Sequence, residues 1–243
     1  MARILVLAPS GFGKTTSWTG RKKLGIIGLN PKETYAIQCV ARGVANPEYR
    51  LCPTNEISDL GKGNRVEVES VTGLDRFKRV VDILNALKNS PYSNVIIDDF
   101  NYLMQDYYMN NAMKGGWQTP KEIGYGIGLI FDAFKGFKQE KNVYVFAHYE
   151  KSNDNDGSVT YKMKTTGKMV DEYCTPQGKF DILLYGKQSF DEQAHKAIKT
   201  YVKDFDGTFP AKDSLGALDD MPDEFPNDLA LVDEKLKQFY GIN

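Results

Sequence analysis

Short, mostly apolar runs recur along the chain and are separated by amphipathic stretches. Three of these runs, Arg3–Leu7, Thr34–Val40 and Asn142–Ala147, predict strands, and the run at Asn94–Phe100 lacks a strict alternation of polar and apolar residues. This lack is typical of strands buried on both faces, as in a parallel sheet. Strands alternating with helices predict an α/β fold whose mainly parallel, twisted sheet is flanked by helices. The clearest helical spacing of apolar residues is at Leu74, Phe77, Val80, Val81, Leu84 and Leu87.

After about residue 150, the sequence pattern no longer predicts alternating strands and helices. The polar stretch Ser152–Gly157 ends in Asp-Gly and predicts a hairpin turn, with Val159–Lys164 as the return strand. Lys179–Tyr185 and Ala197–Val202 predict two more strands, paired antiparallel. We expect a single domain over residues 1–243, with a core at about 1–150 and a hairpin, strand extension and C-terminal helix at about 151–243. Further segments are an edge strand at Arg65–Glu69 and helices at Tyr102–Met113, from Pro120 to about Lys138, and from about Asn227 to Tyr240.

A phosphate-binding loop is predicted directly after the first strand, where Ala8–Thr15 reads Ala-Pro-Ser-Gly-Phe-Gly-Lys-Thr. In this Walker A pattern, glycines let backbone N–H groups turn around an anion, the lysine reaches the β- and γ-phosphates, and the hydroxyl binds Mg²⁺. The first position is Ala8 instead of glycine, a small residue that the loop tolerates. The alternative is a glycine-rich turn that binds nothing. The predicted nucleotide-binding residues are Pro9, Ser10, Gly11, Phe12, Gly13, Lys14, Thr15 and Thr16.

A second apolar run, Asn94–Phe100, ends in the carboxylates Asp98 and Asp99. Ligands of open α/β sheets bind at the carboxyl ends of strands, so this is a Walker B pattern. We expect Asp98, with Thr15, to hold Mg²⁺, and Asp99 to orient or activate the attacking water. The plain alternative is two acids that end a strand at the surface.

Composition excludes some classes of function. The chain has 243 residues, enough for one large domain, and a formal net charge of −1, so no global basic field indicates nucleic-acid binding. Three cysteines stand far apart, without metal-ligand spacing, which is typical of reduced thiols. The first strand begins too early to leave room for a signal peptide, and no apolar run is long enough to span a bilayer. These features predict a cytoplasmic protein without membrane contact.

Later blocks of the sequence carry a specific resemblance. Thr166–Glu172 (TGKMVDE), Thr175–Gly178 (TPQG) and Asp181–Tyr185 (DILLY) resemble phage-encoded RecA-like, AAA-annotated P-loop ATPases, including the Sak-type ATPases associated with single-strand annealing. The resemblance covers nearly the whole chain. It departs between Ala41 and Leu60, where the family has a more basic, proline-rich segment. Further matches are Asp98–Met104, Ile123-Gly124, Phe146–Glu150, Ala211-Lys212 and Pro226–Leu229.

The resemblance implies a RecA-like core that binds ATP and Mg²⁺ and acts near DNA ends or single strands. It also implies a homo-oligomeric ring or filament, phage recombination proteins as partners and, for a phage-encoded chain, the host cell cytoplasm. His148, at the end of a strand, would sense the γ-phosphate, unless it is only a polar strand end. RecA proteins carry the catalytic Glu on a different strand from Walker B, so Glu67 and Glu69 rival Asp99.

Two lysines on the predicted hairpin, Lys162 and Lys164, could reach the γ-phosphate of a neighbouring subunit, as an arginine finger does. The alternative is a solvated, charged edge. A cluster of aromatic residues could stack on single-stranded DNA, although helical aromatics are more often part of the core. Its members are Tyr102, Tyr107, Tyr108, Trp117 and Tyr125, with Lys114 and Lys121.

The sequence therefore predicts a Mg²⁺-dependent ATPase that couples slow hydrolysis to binding of single-stranded DNA. The runner-up is a nucleotide-gated binding or regulatory module with little turnover. A third possibility is a small-molecule kinase. The segment after His148 contains no arginine to form a phosphate-clamping lid, which counts against a kinase.

Overall fold

The computed structural model describes residues 1–113, 116–153, 159–166, 170–193 and 195–242. Lys114 and most of the predicted turn Ser152–Gly157 lie outside these residues. The described α-helices are α1 (Lys14–Thr19), α2 (Leu74–Leu87), α3 (Asn101–Asn110), α4 (Gln118–Ala133) and α5 (Ala230–Tyr240). The described strands are β1 (Arg3–Leu7), β2 (Thr34–Gln38), β3 (Arg65–Glu67), β4 (Asn94–Asp98), β5 (Asn142–Ala147), β6 (Tyr149–Asn153), β7 (Val159–Met163), β8 (Ile182–Asp191), β9 (Lys196–Val202), β10 (Lys212–Asp213) and β11 (Glu224–Pro226).

The central sheet has the strand order β11-β9-β8-β1-β5-β4-β2-β3, with β10 paired to β8. The six strands from β8 to β3 are parallel to one another, whereas β9, β10 and β11 pair antiparallel. Helices flank this sheet, so the predicted α/β class with a mostly parallel sheet is confirmed. The alternating strand β3 lies at the edge, as its pattern predicts.

Two apolar layers cover the two faces of the sheet and explain the missing alternation. Leu5 and Leu7 of β1 pack in the layer that contains α2 and α4, whereas Ile4 and Val6 pack in the layer that contains α5. All four side chains are fully buried. A strand that faces a hydrophobic layer on each side has no solvent-facing positions, and its sequence therefore reads as a continuous apolar run.

The segment after residue 150 contributes to the central sheet. Strand β8 pairs parallel with β1 and antiparallel with β9, whereas β6 and β7 form a separate two-stranded hairpin. The predicted antiparallel pairing of the two late strands is confirmed. Helix α5 begins at Ala230, later than its pattern predicts. The side chains of Asn227 and Asp228, just before it, bond to the loop after β1 and to the segment after α1. None of the described helices is long and apolar enough to cross a membrane.

Candidate functional site

A crevice forms at the carboxyl ends of the strands around β1. The chain leaves β1 for β2, on the side of β5, and returns through β8 on the other side, so the strand order reverses next to β1. Such a reversal is where open α/β sheets bind ligands. The loop after β1, the acids after β4 and His148 after β5 all end at this crevice.

The loop after β1 has a backbone conformation that favours glycine at two positions. Gly11 (φ 75°) and Gly13 (φ 99°) lie in the left-handed region, which L-residues with a Cβ rarely adopt. The Phe12 N–H donates to the Pro9 carbonyl at 3.3 Å, and the Ser17 N–H donates to the Gly13 carbonyl at 3.0 Å to begin α1. Of the remaining predicted cradle residues, Ser10 is exposed and Thr15 and Thr16 are half-buried.

Gly186 on β8 explains how the loop accommodates Ala8. A Cβ on Gly186 would lie 2.5 Å from the Ala8 Cβ and 2.8 Å from a ring carbon of Phe12. The Phe12 ring is fully buried, with its centroid 5.2 Å from that of Tyr201. The base of the loop therefore rests on the bare backbone of β8, and the methyl group of Ala8 fills the space that Gly186 leaves.

We expect Gly186→Ala to destabilise the protein by about 1–3 kcal/mol, because the added methyl overlaps backbone-fixed groups of the loop. Urea denaturation would measure this change. Adding Ala8→Gly should recover part of the loss by removing the 2.5 Å contact. Gly178→Ala is the matched control, since its Cβ would meet only Thr175 Oγ1 at 3.8 Å. Equal stability of Gly186→Ala and Gly178→Ala would contradict the tight fit.

Lys14 is buried in the crevice and bonded to the loop itself. Its Nζ lies 3.3 Å from the Ala8 carbonyl oxygen, 3.4 Å from that of Pro9 and 3.0 Å from His148 Nδ1. Burial lowers the pKa of Lys14 to about 8, against the opposing effect of two nearby carboxylates. Burial and the neighbouring Lys14 also lower the pKa of His148. Its Nδ1 also lies 3.2 Å from the Ala8 carbonyl oxygen, and the tautomer of the neutral ring decides whether Nδ1 accepts from the lysine or donates to that carbonyl.

Asp98 ends β4 with a buried carboxylate beside the loop. Its Oδ2 accepts hydrogen bonds from Thr15 Oγ1 at 2.8 Å and Trp18 Nε1 at 3.2 Å. Its Oδ1 is buried without a hydrogen-bond partner among the described residues. Burial, and next the adjacent Asp99, raise the pKa of Asp98 to about 6.

Mg²⁺ fits the pair Thr15 and Asp98. Within the described ranges, no group of three or more His, Cys, Asp or Glu side chains could hold a metal ion. Mg²⁺ does not need one, because it keeps several waters and binds through one or two side chains plus substrate phosphates. The buried Oδ1 of Asp98, unpartnered among the described residues, and the Thr15 hydroxyl, which bonds the other oxygen of the same carboxylate, would supply such oxygen ligands.

Asp99 turns into the crevice with a left-handed backbone, at φ 60°. Its Oδ2 lies 3.2 Å from Arg42 Nη1, and the guanidinium carbon of Arg42 lies 5.9 Å from the centroid of the Tyr102 ring. Sequence reasoning missed Arg42, which lies in the irregular segment after β2. The contact follows from the strand order, because β2 neighbours β4 and their carboxyl ends lie side by side, and this order is seen only in the structure.

The rival acids lie farther from the loop. Strand β3 is four strand spacings from β1, about 19 Å, whereas β4 is two spacings away, about 10 Å. Glu67 pairs with Arg65 at 2.8 Å, and the Glu69 carboxylate accepts the Ala41 N–H at 2.9 Å. The strand order therefore brings Asp99 nearer to the loop after β1 than Glu67 and Glu69.

The base of the β6–β7 hairpin is bonded to His148. The Lys164 N–H donates to the His148 carbonyl at 2.8 Å, and the Asn101 side chain bridges the His148 N–H and the Lys164 carbonyl. Lys162 Nζ lies 2.6 Å from Asp171 and 3.6 Å from Glu150, so its charge is engaged within its own chain. The side chain of Lys164 is exposed.

The predicted aromatic cluster divides into two groups. Tyr107 is buried, donates to Glu122 at 2.6 Å and belongs to the core, and Tyr102 is half-buried beside Arg42. The other three aromatics are exposed, by 43% for Tyr108, 72% for Trp117 and 66% for Tyr125. Tyr108 and Trp117 line one cavity of about 260 Å³, and Lys121 is exposed nearby on α4.

Two side chains from the last third of the chain also contact the loop. Lys199 on β9 donates to the Gly11 carbonyl, and Asn227 donates to the carbonyls of Phe12 and Gly13. No pattern in the sequence indicates these contacts. No protein-family model matches the chain, and no curated protein matches it.

Proposed function

We propose that the chain is a RecA-like P-loop ATPase that binds ATP with Mg²⁺ and hydrolyses it. One observation carries this proposal. Lys14, the Thr15–Asp98 pair and Asp99 come from segments distant in sequence and meet at one crevice. The strand order supports the RecA-like core, since a single strand, β5, separates the loop strand from the acidic strand and brings His148 to the same crevice.

The chain's own groups have distinct roles in this proposal. The loop N–H groups surround the phosphates, and Lys14 exchanges its two long carbonyl contacts for phosphate oxygens. Thr15 and Asp98 would hold Mg²⁺, which neutralises charge that develops on the phosphates. Asp99 orients the attacking water, and this requires its carboxylate to share or leave its contact with Arg42.

His148 is suited to report the state of the nucleotide. Its Nδ1 contacts Lys14, so a phosphate that attracts the lysine also removes a partner from the histidine. The histidine backbone is tied through Asn101 to Lys164 at the base of the hairpin. We propose that this path carries the nucleotide state to a homo-oligomeric interface, where the exposed Lys164 is the better candidate than the paired Lys162 for reaching a neighbouring subunit.

Single-stranded DNA is the proposed effector. The exposed aromatics Tyr108, Trp117 and Tyr125, with Lys121, provide stacking surfaces and a cation at one corner of the molecule. Base stacking tolerates any sequence because every base has a π-face. A net charge of −1 gives no strong long-range attraction, so binding should depend on assembly into a ring or filament and should weaken with salt.

A nucleotide-gated module with little turnover is the second candidate. The contact that favours it is the pair formed by Asp99 and Arg42, which occupies the water-orienting carboxylate. A protein that keeps this pair after binding ATP would bind the nucleotide and hydrolyse it slowly or not at all.

The test measures ATP turnover with and without single-stranded DNA, and the particle mass with and without nucleotide. We expect Mg²⁺-dependent hydrolysis, a larger particle with ATP, and stimulation by the oligonucleotide. Trp117→Ala should weaken DNA binding about tenfold, the effect of losing one stacked base. Phe205→Ala is the control, as Phe205 is 70% exposed on another segment. ATP binding without turnover or a DNA effect would favour the gated module.

A further inference from the structure

We infer that Lys199 and Asn227 are positioning residues that hold the P-loop ready to bind phosphate. The inference rests on the proposed function and assigns part of it to the last third of the chain. Lys199 Nζ donates to the Gly11 carbonyl at 2.6 Å. Asn227 Nδ2 lies 3.5 Å from the Phe12 carbonyl and 3.4 Å from the Gly13 carbonyl.

These contacts determine where the loop N–H groups point. In a trans peptide the C=O of one residue and the N–H of the next point in opposite directions, and none of the described peptide bonds is cis. The Gly11 and Phe12 carbonyls, drawn towards Lys199 and Asn227, therefore turn the next N–H groups, those of Phe12 and Gly13, to the other side. The Gly13 carbonyl, and with it the Lys14 N–H, is oriented by Asn227 together with the Ser17 N–H at the start of α1. The Phe12 N–H already bonds inside the loop, to the Pro9 carbonyl.

The burial and contacts of the Asn227 side chain support this positioning role. Its side chain is buried, and its Oδ1 has no hydrogen-bond partner among the described residues. A buried amide is unfavourable unless its polar atoms are bonded, so the two Nδ2 contacts are what offset its burial. A Cβ on Gly13 would lie 3.2 Å from Asn227 Nδ2, so the loop glycine and the amide are in close contact.

The two residues are also held in place from outside the loop. The Asn227 N–H donates to the Lys199 carbonyl at 3.2 Å, which ties them to each other. The adjacent Asp228 accepts the N–H groups of Ile27 and Gly28 at 2.7 and 2.9 Å, which fixes this turn to the segment after α1. The loop conformation therefore depends on residues nearly the length of the chain away.

Lys199→Met tests the inference, with Lys196→Met as the control that changes the same charge at an exposed site on the same strand. The probe is a fluorescent ATP analogue with Mg²⁺, and amide hydrogen exchange reports on residues 9–15. We expect Lys199→Met to bind the analogue about tenfold more weakly, the effect of losing one charge-assisted hydrogen bond. Exchange in the loop should accelerate, whereas kcat at saturation and the melting temperature should stay nearly unchanged.

Two further variants complete the test. Lys199→Arg should restore most of the affinity, and Asn227→Asp, which places an acceptor against two carbonyls, should lose more than Lys199→Met. If Asn227→Asp does not fold, the affinities of Lys199→Met and Lys199→Arg decide the test, because Lys199 is only half-buried. Normal affinity and loop exchange in Lys199→Met, with Lys14→Ala inactive, would overturn this inference alone. A wild-type protein that binds no nucleotide would overturn the proposed function with it.

Discussion

Replacing Lys14 by alanine is expected to abolish measurable ATP binding and turnover. The variant loses a buried cation and leaves the Asp98 and Asp99 carboxylates facing the phosphates, where they repel the ligand. Removing one partner of a buried charged contact typically loses about 2–5 kcal/mol, so we expect affinity to fall by at least about 30-fold. Isothermal titration with ATP and Mg²⁺ would measure the loss.

Lys135→Ala provides the control for this experiment. Its ammonium is exposed and pairs with Asp132 on the surface of the same chain segment, so its loss should leave ATP affinity unchanged. Equal affinity and turnover of Lys14→Ala and Lys135→Ala would show that the loop after β1 does not bind phosphate.

The paired acids should separate metal binding from hydrolysis. Asp98→Asn is expected to weaken Mg²⁺-dependent ATP binding, because it removes charge from the carboxylate beside Thr15. Asp99→Asn should leave ATP affinity nearly intact and slow hydrolysis by about 100-fold, the typical effect of losing a group that acts on the attacking water. Affinities with and without Mg²⁺, together with single-turnover rates, would distinguish the two variants.

Arg42→Gln complements Asp99→Asn, because it breaks the ion pair and leaves the Asp99 carboxylate in place. A gated module should gain turnover when Arg42 is lost, whereas an ATPase that needs Arg42 to position Asp99 should lose it. Asp132→Asn is the control for Asp99→Asn, because it removes the same negative charge at a surface position. Normal hydrolysis by Asp99→Asn would transfer the role to Glu67 or Glu69 despite their distance from the loop.

Local patterns in the sequence were enough to predict several elements. The bounds of β1 and β5 agree with the apolar runs, and α2 spans the whole helical pattern from Leu74 to Leu87. These predictions succeed because side-chain periodicity follows directly from which faces are buried. The same patterns were less reliable at helix ends: α3 ends at Asn110, before the predicted Met113, and α4 ends at Ala133, before Lys138.

The sequence by itself determined the α/β class, the strand–loop–helix at Ala8–Thr15 and the acids that end β4, because each depends on residues that are neighbours in the chain. Only the tertiary structure decided which distant groups reach that loop. Gly186 makes room for Ala8, Arg42 pairs with Asp99, and β8 enters the centre of the sheet. These contacts join segments far apart in sequence, and no local periodicity encodes them. They form only when the buried faces of the strands select one order in the sheet.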